Sequence, residues 1–326
     1  MSDVSSPSLI GLDWGTSSLR ASLYAADGAV LDRRARPWGI QHLPEGGYAA
    51  ALSGIAGDWR DRWPATPVIA AGMVGSRQGW HEVPYVACPA DPAAIAAGVV
   101  PFDSGAGVLH FAPGIIQPGN TPDVMRGEEA QIIGALEVEP GLSRDSLLVL
   151  PGTHCKWAHV RGGRVERFTT YLTGELFAML RDHSIIGRPA RDLGPATQSG
   201  GGPAFVRGLR AACESGAAGI AGRLFTTRSL YLTGALPVGE TLDYLSGLLV
   251  GEEIRSVLAE HGGGACPPCV LLGDPALCDL YRLALATFGV DDVRTLDDTG
   301  PAGLWRIATA AGLVRPAARS AAPARA

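Results

Sequence analysis

From Leu9 to Trp38 the apolar residues fall in short runs cut by turn formers, a pattern that predicts strands. Leu9-Ile10-Gly11-Leu12-Asp13-Trp14 reads as a buried strand and Gly15-Thr16-Ser17 as a turn. Leu19–Tyr24 is a second strand, and Asp27-Gly28 signals a hairpin into a third near Ala29–Arg36. The same grammar returns later. Leu147–Leu150 is a strand, Pro151-Gly152-Thr153-His154 a turn and Lys156–Val160 a strand, after which Arg161-Gly162-Gly163 turns the chain toward Val165–Tyr171. The Gly-Thr turns at 15–16 and 152–153 thus head two copies of one motif, and such duplication predicts two related domains.

Between the copies the pattern predicts a strand near Val68–Met73 and a helix over Val124–Glu137, with apolar Ile132, Ile133 and Leu136 on one side. The stretch 173–262 holds helical patterns at Leu176–Leu180, Phe205–Ala212 and Tyr244–Leu258, broken by a glycine-rich loop at 199–202, and reads as a helical insertion. Val270–Leu272 is then a strand ending at Gly273. Asp274 is placed to cap a helix that has Pro275 in its first turn and runs to about Phe288. A strand at Val293–Leu296 and a helix at Pro301–Ala311 follow, and the Ala/Pro/Arg tail from Pro316 is expected to be disordered.

With 326 residues, 46% of them apolar and 18% charged, the chain carries enough material for a sizeable core and two domains. The 27 basic and 32 acidic residues leave a net charge of −5, with no surplus to neutralise a nucleic-acid backbone. The first residues hold no Lys or Arg and no apolar run of spanning length occurs, so neither signal peptide nor membrane anchor is expected and the location expected is cytoplasmic. Six irregularly spaced cysteines do not form a disulfide framework. Cys266-Pro-Pro-Cys269 lacks a second ligand pair for zinc and precedes a strand rather than opening a helix, so it reads as a pair of loop thiols. The oligomeric state is left open, with a homodimer among the options.

Of the 27 basic residues 26 are arginine, and the one lysine, Lys156, follows the second Gly-Thr turn. A composition that otherwise replaces lysine keeps it where a compact ammonium is needed. The turn Gly15-Thr16-Ser17 offers backbone N–H groups and hydroxyls to an anion, and Gly152-Thr153 repeats the offer. Asp13, at the end of its strand, suits a water-mediated Mg²⁺. A hairpin with an Asp capping its own turn would look the same, but two such hairpins suit a triphosphate clamped from both sides. Asp123 and Glu128, in the segment that opens the 124–137 helix, are candidates for a general base toward a hydroxyl, or else helix-start caps. Ser76, Arg77 and Gln78 follow a strand and offer a fork for a carboxylate and donors for hydroxyls. Neither a P-loop run nor G-x-G-x-x-G after a strand is present.

The two hairpins, the acid-led segment between them and the Val-Leu-Leu-Gly-Asp strand end resemble the actin-like ATPase and sugar-kinase superfamily. The runs GLDWGTSSLRA, PWGIQHLPEGGY, AAGMVGSRQGW, PDVMRGEEAQIIGAL, LPGTHCKW, TGELFAMLRDHSIIGR and YLSGLLVGEE narrow the resemblance to the 2-dehydro-3-deoxygalactonokinase family, over about residues 9–313. The resemblance implies an α/β fold of two ribonuclease-H-like domains with an interdomain cleft. Residues 1–138 would form the substrate-side domain and 139–315 the nucleotide-side domain, which would carry the helical insertion at about 173–262. It implies transfer of the ATP γ-phosphoryl group, with Mg²⁺, to the 6-hydroxyl of 2-dehydro-3-deoxy-D-galactonate in galactonate breakdown.

In that reading Asp13 positions the metal, and Gly15, Thr16, Ser17, Gly152 and Thr153 hold phosphates. Gly273 meets the nucleoside, Glu128 or Asp123 accepts the hydroxyl proton, and Lys156 and Arg77 supply positive charge. The family's Gly-Asp-Gln is Gly127-Glu128-Glu129 here, and Cys155 stands where serine is expected. Alternatives are a kinase for the gluco epimer, an exopolyphosphatase-like hydrolase on the same fold, and a non-catalytic sugar sensor.

Overall fold

The computed structural model describes residues 7–191, 200–260 and 267–315. The chain folds as two units. Of the described residues, the first comprises 7–144, Val160–Phe168 and 298–315, and the second those within Asp145–His159 and Thr169–Asp297.

The first unit opens with strands β1 (Leu9–Trp14), β2 (Leu19–Tyr24) and β3 (Val30–Arg36), followed by helix α1 (Gly47–Arg62) and β4 (Val68–Ala71). Next come β5 (Val86–Ala87), α2 (Pro92–Ala97), β6 (Val100–Asp103), β7 (Val108–Phe111), β8 (Ile115–Gln117), β9 (Asp123–Met125) and α3 (Glu128–Val138). The main sheet has the order β3-β2-β1-β4-β7-β6, antiparallel across the hairpins and parallel where β4 joins β1 and β7. The hairpin strands form because Leu9, Ile10, Leu12, Trp14, Leu19, Ala21 and Leu23 can all be buried, as they are, with α1 residues Leu52, Ile55 and Trp59 completing the core. A small sheet, β5-β8-β9, pairs Gln117 with Asp123.

Next in the chain are β10 (Asp145–Leu150), β11 (Cys155–Arg161) and β12 (Arg164–Tyr171), of which residues 160–168 count with the first unit and the rest with the second, and then, in the second unit, helices α4 (Thr173–His183), α5 (Arg188–Arg191), α6 (Pro203–Cys213), α7 (Thr226–Leu232) and α8 (Thr241–Glu260). These are followed by β13 (Cys269–Leu272), α9 (Pro275–Thr287) and β14 (Val293–Leu296). Its sheet order, β12-β11-β10-β13-β14, repeats that of the first sheet: third, second and first strand, then two parallel strands. Asp274 caps α9 by accepting from the N–H groups of Ala276 and Leu277 at 3.0 and 3.1 Å. The last helix, α10 (Gly300–Ala310), packs on α3 in the first unit. The molecule is therefore an α/β protein built on mixed sheets. Among the described residues no helix is long and apolar enough to cross a membrane.

One expected element is corrected. The helix predicted from Val124 starts at Glu128, because residues 123–125 pair with β8 as a strand and Gly127 breaks the chain before the helix. Acidic residues and Pro122 resemble a helix start locally, and pairing with the upstream strand overrides them. Cys266, the tail from Pro316 and part of the 199–202 loop lie outside the described residues. Cys269, Cys88, Cys155, Cys213 and Cys278 are free thiols.

Candidate functional site

In the first unit, parallel pairing sets Asp13 of β1 beside Ala71 of β4, so two loops leave the same sheet end together. Loops at the carboxyl ends of parallel strands are where open α/β sheets collect ligand-binding groups. The first turn is closed by the Gly15 N–H donating to Ser18 O at 2.9 Å, and Thr16 and Ser17 are exposed. It rests on the segment behind it. Ile40 and Gln41 donate to the carbonyls of Gly15 and Thr16, and a Cβ on Gly39 would overlap the Thr16–Ser17 peptide.

After β4 the chain passes Gly72 at φ 99°, where a Cβ would come 2.7 Å from Trp14 O. Only glycine permits that backbone at that distance. The turn beyond it presents Arg77 and Gln78 to solvent, while Ser76 is buried and its hydroxyl donates to Met73 O at 2.7 Å. The third part of this arrangement is the α3 start. Gly127, at φ 110°, sits so that a Cβ would meet the Gly72 α-carbon at 3.3 Å.

Three segments from distant parts of the chain thus converge on one sheet end, and they bring acids with them. Burial lifts the Asp13 carboxyl above its ordinary range, Arg20 at 3.2 Å pulls it back, and the charge of Glu128 raises it again. Asp13 and Glu128 therefore share one electrostatic neighbourhood. Glu128 accepts from the Arg126 backbone N–H at 3.1 Å. Asp123, on β9, accepts from the Val124 N–H at 2.7 Å and is not at the helix start.

Glu129 is fully buried, accepts from the Gly127 N–H at 2.6 Å, and is pushed up to about 8 by burial and by Glu128. Its folded-state value lies above the ordinary 4.5, so its stability contribution is fully present below about 4.5 and is lost as pH rises through about 8. Across that window the loss approaches about 1.4 kcal/mol per pH unit. Glu129→Gln, which stays neutral, is expected to flatten this slope: thermal melts should show its Tm rising relative to the parent between pH 5 and pH 8. A parallel pH dependence in the two proteins would contradict the assignment.

In the second unit the turn 151–154 is held from below. Gly152 N–H faces Cys155 Sγ at 3.5 Å, Sγ lies 3.0 Å from the Tyr281 hydroxyl, and Tyr281 donates to Glu253 Oε2 at 2.9 Å. Trp157 Nε1 donates to Glu253 Oε1 at 2.6 Å, and the Thr173 hydroxyl donates to Oε2. A single buried carboxylate therefore ties β11, α4, α8 and α9 together under the turn. Burial raises Glu253, while Thr173, Trp157 and Tyr281 hold its ionised form. From the α4 side, the Glu175 N–H donates to Thr153 O at 3.0 Å and His154 Nε2 meets Glu175 Oε2 at 2.5 Å.

Thr153 is exposed at the turn's surface, and Gly273 lies beside it, with a Cβ there reaching 3.8 Å from Pro151 O. Lys156 is 4% exposed and its Nζ donates to His154 O at 3.1 Å, so its charge sits within the turn's own framework. Cys155 is buried and its thiol is pushed up to about 12, mainly by burial, so it remains a thiol that packs the turn from inside.

The structure thus groups Asp13, the 15–17 turn, the start of the Gly72–Gln78 turn and Glu128 in one unit, and Gly152, Thr153, Lys156 and Gly273 in the other. Sequence reasoning missed Arg126, Glu129, Glu253, Tyr281 and Thr173. No local spacing marks them, although the runs MRGEE, TGELF and GLLVGEE contain four of the five. Among the described residues no cluster of three or more His, Cys, Asp or Glu could hold a metal alone.

Comparison with known proteins finds relatives over nearly the whole chain. The family model for 2-keto-3-deoxy-galactonokinase matches residues 13–307. A 2-dehydro-3-deoxygalactonokinase from Escherichia coli strain K12 is 34% identical over 92% of this chain and 97% of its own. A relative from Rhizobium meliloti is 36% identical over 88% of this chain and 91% of its own. A crystal structure from Sinorhizobium meliloti, described as a candidate 2-dehydro-3-deoxygalactonokinase, superposes with a TM-score of 0.84 at 35% identity, covering 93% of this chain and 98% of that one. The chain belongs to the 2-keto-3-deoxy-galactonokinase family.

Proposed function

We propose that this chain is the kinase that transfers the γ-phosphoryl group of ATP to the 6-hydroxyl of 2-dehydro-3-deoxy-D-galactonate, in the cytoplasm, during galactonate breakdown. Family membership across residues 13–307 supports the reaction. The observation that carries it to particular atoms is the convergence of the β1 end, the Gly72 turn and the α3 start, which sets Asp13 and Glu128 on one sheet end. Glu128 is the group that takes the hydroxyl proton. Asp123 is the second candidate, now placed on β9.

The β- and γ-phosphates are assigned to the turns at Gly15, Thr16 and Ser17 and at Gly152 and Thr153, with Lys156 adding charge to the second turn and Gly273 meeting the nucleoside. Ser76, Arg77 and Gln78 are assigned to the sugar side, which is the first unit, and the second unit to the nucleotide side, where the helices between β12 and β13 form an insertion. One half-buried carboxylate, Asp13, suits Mg²⁺, which takes one or two carboxylates and completes its shell with water and phosphate oxygens. Bound there, Mg²⁺ would neutralise charge on the phosphates. Transfer then asks the protein mainly for alignment and charge stabilisation.

The test is an assay of the purified chain with ATP and Mg²⁺ against the galacto acid, its gluco epimer and no acceptor. Phosphorylation of the galacto acid at the highest kcat/KM supports the reading. Equal ATP turnover without any sugar acid would instead indicate a hydrolase. A second expectation concerns the first turn. Gly39→Ala forces the Thr16–Ser17 peptide out of place, and KM for ATP should rise about tenfold or more while the fold is kept. An unchanged KM would show that the turn does not touch the nucleotide.

A further inference from the structure

Arg126 has an environment that its neighbours do not explain. It is 8% exposed, its Nη2 donates to Val83 O at 2.6 Å, and its guanidinium lies 4.3 Å over the Tyr85 ring. Its Nε and Nη1 are buried with no hydrogen-bond partner. The buried acid near enough to feel its charge is Glu129, whose Oε1 is also without a partner. Neither unpartnered Arg126 nitrogen hydrogen-bonds to Glu129, so the guanidinium has no carboxylate partner there. Burying an uncompensated guanidinium is costly, and a fold that keeps one has a use for its charge.

The location indicates the use. The Arg126 backbone N–H holds Glu128, and the Nη1 atom lies where a Cβ on Gly75 would be 3.2 Å away, next to Ser76–Gln78. Arg77 is exposed on that turn, and Lys156 is occupied with the His154 carbonyl in the second unit. Among the described residues of the first unit, Arg126 is the buried cation, and its guanidinium lies against that turn at Gly75. A charge in a low-dielectric interior acts far more strongly than one in water.

Resting on the reading of the chain as a sugar-acid kinase, we infer that Arg126 is the residue that selects an anionic sugar derivative: its buried charge behind Gly75 favours a substrate carboxylate over a neutral group at the same carbon. It is a specificity-determining residue and not an acid or a base.

The experiment compares 2-dehydro-3-deoxygalactonate with its neutral methyl ester, in the parent protein and in Arg126→Met and Arg126→Lys. The parent should prefer the acid by about a hundredfold in kcat/KM. Arg126→Met should lose most of that preference through a raised KM for the acid, with KM for ATP within about twofold and little change for the ester. Arg126→Lys, which keeps the charge, should recover at least about a tenth of it. A purely structural role would lower turnover of acid and ester in parallel, and that result overturns the assignment.

Calorimetric binding of acid and ester to the parent alone guards against a variant that does not fold. Affinities within about threefold of each other overturn the assignment without any variant. If the parent binds the acid selectively but phosphorylates neither compound, the kinase reading fails while Arg126 stands. If it binds neither, both fall.

Discussion

Glu128→Gln is expected to lower kcat by about a thousandfold while leaving KM for ATP nearly unchanged, since removing a positioned general base costs roughly 10² to 10⁴ in rate. The variant is nearly isosteric. Its side-chain carbonyl can still accept from the Arg126 N–H, so the α3 start and the Gly127 backbone should keep their places. What changes is the capacity to take a proton, together with the charge that helps to raise Asp13. Steady-state kinetics on the purified variant, with Asp123→Asn measured beside it, decide the matter. Loss in Asp123→Asn with retention in Glu128→Gln would move the base to β9. Full activity in both would remove the carboxylate base from the mechanism.

Gly303→Ala should lower Tm by about 4–8 °C. Helices α3 and α10 cross at a point where Gly134 and Gly303 face each other's backbones: a Cβ on Gly303 would overlap Ala130 O, and one on Gly134 would overlap Thr299 O. The Thr299 hydroxyl also donates to Gln131 O at 2.8 Å, so the crossing is held by hydrogen bonding as well as by contact. Alanine would gain up to about 1 kcal/mol in helix propensity, but it must push apart two helices that meet backbone to backbone. Overpacking of this kind costs about 1–3 kcal/mol, more where the neighbour is main chain and not a side chain able to turn away. For a unit of this size each kcal/mol moves Tm by about 2–4 °C. Because Glu128 is the first residue of α3, kcat should fall too at temperatures where the variant is still folded. A melting temperature within about 1 °C of the parent would show that the helices yield without cost.

What could be read from the residues was whatever is decided locally. The hairpin Leu9–Trp14 and Leu19–Tyr24, the strand Val293–Leu296 and the Asp274 cap followed from runs, turns and caps that need no distant partner. Helix α1 gave no signal of comparable strength: its sequence GYAAALSGIAGDWRDR is rich in alanine and glycine and only weakly amphipathic. Residues 123–125 were misread because their strand character depends on pairing with Gln117 and Ile116. In the candidate site, Asp13, the Gly-Thr turns and Glu128 were visible because strand ends and helix starts announce themselves. Arg126, Glu129 and Glu253 were not, because a charged residue acquires its meaning from burial, and burial is settled by the whole fold.

The first unit takes its last helix, α10, from beyond the second unit in the sequence, with residues 298–315 belonging to it. During synthesis, residues 7–144 therefore leave the ribosome with the glycine face of α3 uncovered, and its covering helix is made only after the entire second unit. A fragment cut at Arg144 would lack that helix, so neither truncation nor early translation can yield a finished first unit. Maturation of this protein waits on α10, and premature stop codons even near residue 300 should produce chains that a cell's quality control removes.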